Sequence, residues 1–276
     1  MKNKPWLSNW SFIVILLLVG STAWAGPIRI SGTGAAISTI KQVTEAYRQQ
    51  HPEIQWQFLL PPMGSSGAIK ALTTHQLDVA LTGRPLKKEE ESTGLTQEWI
   101  GRSPFIFVVH KNLPVTNISM AQLTEMYAGR QKVWPDGSRV RVVLRPAADA
   151  DTTLLKSLSP AMDEAITTAH AHRAPGSAMA DTDIDLADMV EKVPGGLGAV
   201  ALTLILAENR PLKGLILDGK APTVEALENN SYLHSKPLFV VTRTEASEPV
   251  RGMVDFIHSA QARALLAQFG ISVIKR

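Results

Sequence analysis

Residues 27–81 read PIRISGTGAAISTIKQVTEAYRQQHPEIQWQFLLPPMGSSGAIKALTTHQLDVAL. Pro27–Ser31 alternates apolar and polar side chains and runs into Gly32-Thr33-Gly34, the pattern of a strand ending in a glycine turn. Ile37, Ile40, Val43, Ala46 and Tyr47 then recur at helical spacing, until His51-Pro52 closes the helix. Ile54–Leu60 reads as the next strand and is broken by Pro61-Pro62-Met63-Gly64-Ser65-Ser66-Gly67. Ile69, Ala71 and Leu72 begin a second helix, and Leu77–Leu81 is a third strand. Strand, helix, strand, helix, strand is the order that favours a mostly parallel sheet flanked by helices.

Downstream the pattern continues. Pro104–His110 (PFIFVVH) has the unbroken apolar run of a buried strand. Met120, Leu123, Met126 and Tyr127 form a short amphipathic helix, and Val140–Leu144 is a strand. A longer helix is predicted from Thr152 to His170, a loop over Arg173–Asp181, and a short helix over Ile184–Val193 that ends at Pro194-Gly195-Gly196. Leu215–Leu217 and Leu238–Thr242 are further strands. Val250, Val254, Ile257, Ala260, Leu265 and Phe269 mark a closing helical segment. Lys87–Ser92 is a charged run, read as a solvated helix face.

Upstream, Met1–Trp10 carries Lys2 and Lys4 with no acid, Phe12–Val19 is continuously apolar, and Ala23-Trp24-Ala25 is a small-x-small site before Gly26. That order is a cleavable secretory signal over residues 1–25. The other reading, a membrane anchor, needs about 20 apolar residues. The chain has no Cys, so lipidation at the cleavage site is not expected and stability must come from core burial rather than disulfides. Without residues 1–25 the chain keeps 26 basic against 25 acidic residues. A charge so close to zero gives no nucleic-acid footprint, so any anion selectivity must be local. The histidines show no metal-ligand spacing, and no cofactor is expected.

Three loops share one design: Ser31–Ile37, Gly64–Gly67 and Arg145–Thr153 each lie between a strand and a helix. A helix start leaves backbone N–H groups without partners and carries partial positive charge, so it attracts anions. Ser and Thr hydroxyls add hydrogen bonds without adding charge. The same residues, Ser65, Ser66, Thr152 and Thr153, also fit simple helix capping. Composition and spacing leave both readings open.

Beyond that point the chain resembles the phosphate-binding subunit of bacterial phosphate ABC importers, a branch of the type II periplasmic binding proteins. The likeness rests on Ser31-Gly32-Thr33-Gly34-Ala35, on Gly64-Ser65-Ser66-Gly67-Ala68-Ile69-Lys70, and on Leu77–Ala80 with Pro85-Leu86. Leu123, Tyr127, Gly129 and Trp134, then Pro194–Ala199, Leu217–Thr223, Tyr232 and Lys236-Pro237-Leu238 extend it along the chain. It implies a two-lobed α/β fold with residues 26–105 and 239–276 in one lobe and 106–238 in the other. Hinge-adjacent strands would then fall at Phe105–Val109 and Leu238–Val241.

The resemblance also implies ligand contacts. They are the backbone of Ala36 and Ile37, Ser65 and Ser66, Thr82 and Arg84 of the Thr82-Gly83-Arg84 turn, Arg145 as the charge partner, and Ala150, Asp151 and Thr152. An arginine suits a tetrahedral oxyanion because it can donate two parallel bonds. Two positions depart from the family: Ala36 lacks its hydroxyl, and Gly83 stands where it has an aspartate that accepts a proton from hydrogen phosphate. Asp149 and Asp151 are candidates for that acceptor role, with capping as the alternative for each.

The function implied is a periplasmic, monomeric solute-binding protein, not an enzyme, that delivers phosphate or a related oxyanion to an ABC transporter permease. A sensor or scavenging subunit docking on a signalling receptor would bind the ligand in the same way. A serine hydrolase built on Ser65 or Ser66 is a third reading, which needs a His and an acid beside the serine.

Overall fold

In the computed structural model, which describes residues 26–274, the opening stretch becomes β1 (Ile28–Gly32), α1 (Gly34–Arg48), β2 (Trp56–Phe58), α2 (Gly64–Thr73) and β3 (Val79–Thr82). The expected signal segment lies outside the described residues. The chain continues through α3 (Lys88–Glu91), β4 (Leu95–His110), β5 (Asn117–Ile118), α4 (Met120–Tyr127), β6 (Arg141–Leu144), α5 (Ala150–Ser157) and α6 (Pro160–Ala171). It proceeds to β7 (Ala178–Met179), α7 (Asp183–Lys192), β8 (Gly196–Ala201), α8 (Leu202–Ala207), β9 (Leu212–Gly214) and β10 (Ile216–Leu217). It closes with α9 (Val224–Glu228), β11 (Ser235–Arg243), α10 (Glu248–Ile257) and α11 (Ala260–Gln268).

One sheet runs β2-β1-β3-β11-β4-β8-β6-β7, with β9 also paired to β4, and β5 and β10 form a separate ribbon. The flanks are parallel: β1 pairs that way with β2 and β3, and β6 with β7 and β8. The centre is antiparallel, because β11 returns between β3 and β4 from the far end of the sequence. The result is a mixed α/β sheet with helices on its faces, as the strand–helix alternation predicts.

Two expected helices are each split in two. Ser159 accepts from the Met162 N–H at 3.1 Å and Pro160 opens α6, so the 152–170 segment restarts there. Ser259 caps α11 in the same way through Ala262, which divides the closing segment. β4 is also far longer than the apolar run Pro104–His110, because its polar first half is paired along the whole of β11.

The central strand serves several cores at once. Phe105, Phe107 and Val109 project to one face and pack with Leu123, Tyr127, Trp134, Leu144 and Ile166. Ile106 and Val108 alternate to the other face, against Leu186, Val190 and Leu204. Ile100 belongs instead to a core built by Ile30, Ile37, Val43, Leu81, Leu238, Val240 and Met253. Met126 and Tyr127 are core residues, and the buried Trp134 donates from Nε1 to the Gly195 carbonyl at 3.0 Å. No helix among the described residues is long and apolar enough to cross a membrane.

Candidate functional site

The three loops singled out in the sequence converge. A small cavity is lined by Thr33 before α1, Pro62, Gly64 and Ser65 at the start of α2, and Arg145, Asp149 and Ala150 before and within α5. Thr182 and Asp183 at the start of α7 and Lys236 of β11 complete it. Helix starts thus gather beyond the carboxyl ends of β1 and β6, where open α/β sheets place their ligands.

Arg145 is the fixed cation of the site. It follows β6 directly and is only 5 % exposed. One Nη donates to Asp149 at 2.7 Å, while Nε and the other Nη have no hydrogen-bond partner. Burial works against its charge, but Asp149, Asp183 and Asp151 outweigh that and raise its pKa. Asp149 also caps α5 by accepting from the Asp151 N–H at 2.8 Å, so one carboxylate both starts the helix and steadies the guanidinium.

Lys236 is the second cation, equally buried. Its Nζ lies 2.6 Å from Asp151 and 3.5 Å from Asp183, and donates to the Thr33 hydroxyl at 3.1 Å. Asp183 accepts from the Gly34 N–H at 2.8 Å, the Ala35 N–H at 2.9 Å and the Thr33 hydroxyl at 2.8 Å. Burial alone would lift its pKa. Lys236, Arg145, the Ala35 N–H and the Thr33 hydroxyl overcome that and hold Asp183 below the ordinary carboxylate range. Asp151 moves the other way: burial raises it, Lys236 offsets only part, and Asp149 and Asp183 push it further up. Burial also opposes the charge of Lys236, yet Asp151 and Asp183 keep its pKa above the ordinary lysine value.

The expected contacts divide accordingly. Ser65, Arg145 and Ala150 line the cavity. Asp151 does not cap a helix; it pairs with Lys236. Thr152 is buried and donates to the Arg145 carbonyl at 3.2 Å, and Thr82 donates to the Arg84 carbonyl at 2.8 Å, so both hydroxyls brace loops. The N–H groups of Ala36 and Ile37 are already bonded to the Thr33 carbonyl at 3.1 and 3.0 Å. The cap carbonyl takes these two, so the donors that α1 leaves over are those of Gly34 and Ala35, and Asp183 accepts both. Arg84 is drawn away from the cavity into a bidentate pair with Glu90, both bonds 2.7 Å, and also donates to Ser66. The charged run at 87–92 thus has a structural partner as well as a solvated face. Ser65 Oγ accepts from the Gly83 N–H at 3.0 Å, and no histidine is among the residues lining the cavity, so the arrangement lacks the base a serine hydrolase requires.

Asp183 and Lys236 carry no sequence signal of a site. Thr182-Asp183-Ile184-Asp185 shows only a helix start, and its capping box forms through Thr182 and Asp185. Gly83 gains a physical reason. A Cβ at this position would come within 2.5 Å of Lys236 Cε, so the small residue makes room for the lysine. Gly83→Ala is expected to destabilise the fold by about 1–3 kcal/mol through overpacking, measured as a lower midpoint of thermal unfolding.

A family model described as the PBP superfamily domain matches residues 19–269, and the chain belongs to that superfamily. Phosphate-binding protein PstS 2 of Streptococcus pneumoniae is 26% identical over 110 residues, covering 40% of this chain and 37% of that protein. The match thus spans a little over a third of that relative's length. Phosphate-binding protein PstS of Borreliella burgdorferi is 23% identical over 223 residues, 77% of this chain and 78% of the relative. Among solved structures, a Clostridium perfringens protein assigned as a phosphate ABC transporter substrate-binding protein, with bound phosphate, superposes with a TM-score of 0.75. It is 21% identical and covers 90% of this chain and 100% of its own, a likeness of fold. The fold is the type II periplasmic binding fold.

Proposed function

We propose that this chain is a periplasmic solute-binding protein that captures phosphate or a related tetrahedral oxyanion and delivers it to an ABC transporter permease. The observation that carries the reading is Arg145, buried at a cavity among helix starts, with two of its nitrogens unpaired. A buried guanidinium with open donors calls for an acceptor anion, since an unsatisfied buried polar group costs about 1–3 kcal/mol. The names of the relatives supply the choice of phosphate among anions.

Residues 26–105 with 239–276 would form one lobe and 106–238 the other, joined by the crossing strands β4 and β11. Hinge motion about these strands would open and close the cleft, and the closed form would dock on the permease. The protein acts as a monomer and makes or breaks no bond. Export follows from the signal over residues 1–25.

We assign the acceptor role that Gly83 cannot fill to Asp151, which pairs with the cavity-lining Lys236. A carboxylate facing the ligand selects an anion that still carries a proton and disfavours sulfate, which has none to donate. Calorimetric titration of the purified protein with phosphate, arsenate, sulfate, molybdate and phosphonates tests this. Phosphate and arsenate are expected to bind at one site and sulfate much more weakly. Binding of another anion with none of phosphate would overturn the reading.

A further inference from the structure

The donors that an oxyanion would use at the start of α1 are already occupied by a side chain of the same protein. Asp183 accepts from the Gly34 and Ala35 N–H groups and from the Thr33 hydroxyl, with Lys236 at 3.5 Å as its counter-charge. Those are the contacts of a bound anion at a helix N-terminus, and Asp183 is 150 residues from Thr33 in the chain. Gly34 is shaped for it: a Cβ there would stand 2.4 Å from Asp183 Oδ1 and 2.6 Å from Ile184 Cγ1. A second observation marks the same place as a ligand site. Arg145, which lines the same cavity, is 5 % exposed with Nε and one Nη unpartnered, while every donor at α1 is taken.

We infer that Asp183 is an internal competitor for the oxyanion: it fills the α1 end of the site and must be displaced for the anion to bind. The inference rests on the proposed oxyanion function. An alternative role, in which Asp183 receives a proton from the ligand, fits the geometry less well. Its oxygens already accept three hydrogen bonds, so it removes donors from the ligand rather than offering a free acceptor. Displacement lowers apparent affinity by the fraction of protein in which the site is free, so the residue sets the solute concentration at which the protein loads.

Two measurements on the wild type, Asp183→Ala and Asp183→Asn decide it, the asparagine variant keeping the packing if alanine perturbs the fold. In amide hydrogen exchange without anion, Gly34 and Ala35 are expected to be protected in the wild type and to exchange at least tenfold faster in Asp183→Ala. In phosphate calorimetry, Asp183→Ala is expected to bind at least tenfold more tightly than wild type, with Asp183→Asn between them. Unprotected Gly34 and Ala35 amides in the wild type would overturn the inference, as would unchanged or weaker phosphate binding by both variants alongside a wild type that binds. If exchange follows the expected pattern but neither wild type nor variants bind phosphate, Asp183 still occupies α1 and the phosphate reading is what fails.

Discussion

Arg145→Ala is expected to weaken phosphate binding by roughly 30-fold to several-thousand-fold. The estimate follows from truncating one member of a buried, hydrogen-bonded charge pair, about 2–5 kcal/mol, at about 1.4 kcal/mol per tenfold. The side chain is buried, held at one nitrogen by Asp149 and open at the others, so its cost of ordering is already met by the fold itself. Arg145→Lys should recover only part of the affinity, since an ammonium cannot donate the parallel pair that a guanidinium offers. The fold should tolerate the change better than the site does: Asp149 keeps its cap on α5 through the Asp151 N–H. Calorimetry on both variants checks this, and an unchanged affinity in Arg145→Ala would remove the residue from the site.

The largest stability effect is expected at Lys236. This lysine sits between Asp151 and Asp183, and all three side chains are almost fully enclosed. Lys236→Met fills similar volume but leaves two carboxylates facing each other without their cation. Breaking a buried pair by removing one partner costs about 3–5 kcal/mol, which for a chain of this size lowers the unfolding midpoint by roughly 6–20 °C. The loss should depend on pH. Asp151 has a folded pKa raised above its ordinary 3.8, so its ionised form is the destabilising one and becomes populated as pH rises. The gap between variant and wild type should therefore be wider at pH 8 than near pH 5, where Asp151 can take up a proton. Asp183, held below the ordinary range, contributes stability that is lost only at still lower pH. Thermal unfolding of both proteins across this range is the measurement. A gap independent of pH would mean that Lys236 acts through packing alone.

Both effects arise at residues of very different legibility. The loop that begins at Arg145 is legible in the sequence because it follows an apolar strand and its acidic, hydroxyl and small residues start a helix, while the arginine's own role is what the family resemblance implies. Chain neighbours decide such a geometry. The glycine loops before α1 and α2 were legible for the same reason, and so was the strand–helix alternation that makes the sheet. The first half of β4 was not. Its residues Leu95–Gly101 mix polar and apolar types, and only pairing with β11 holds them extended. Arg84 pairs with Glu90, which lies in a charged run that looks merely solvated in the sequence, and the pair turns the guanidinium from the cavity. Spacing marks where α1 begins but not that its cap carbonyl consumes the amides of Ala36 and Ile37.

Local order, then, was the sequence's own work. Hydrophobic period, glycine turns and helix starts depend on residues a few positions apart, and they determined the α/β alternation and the three loops that meet at the cavity. What occupies that meeting point was decided only by tertiary structure. Asp183 and Lys236 reach Thr33 across 150 and 203 residues. They arrive because α7 starts beside the first loop and β11 threads back into the centre of the sheet. No period or spacing records such a contact. Gly83 shows the difference most plainly: in sequence it is a missing carboxylate, and in the fold it is the space through which Lys236 enters.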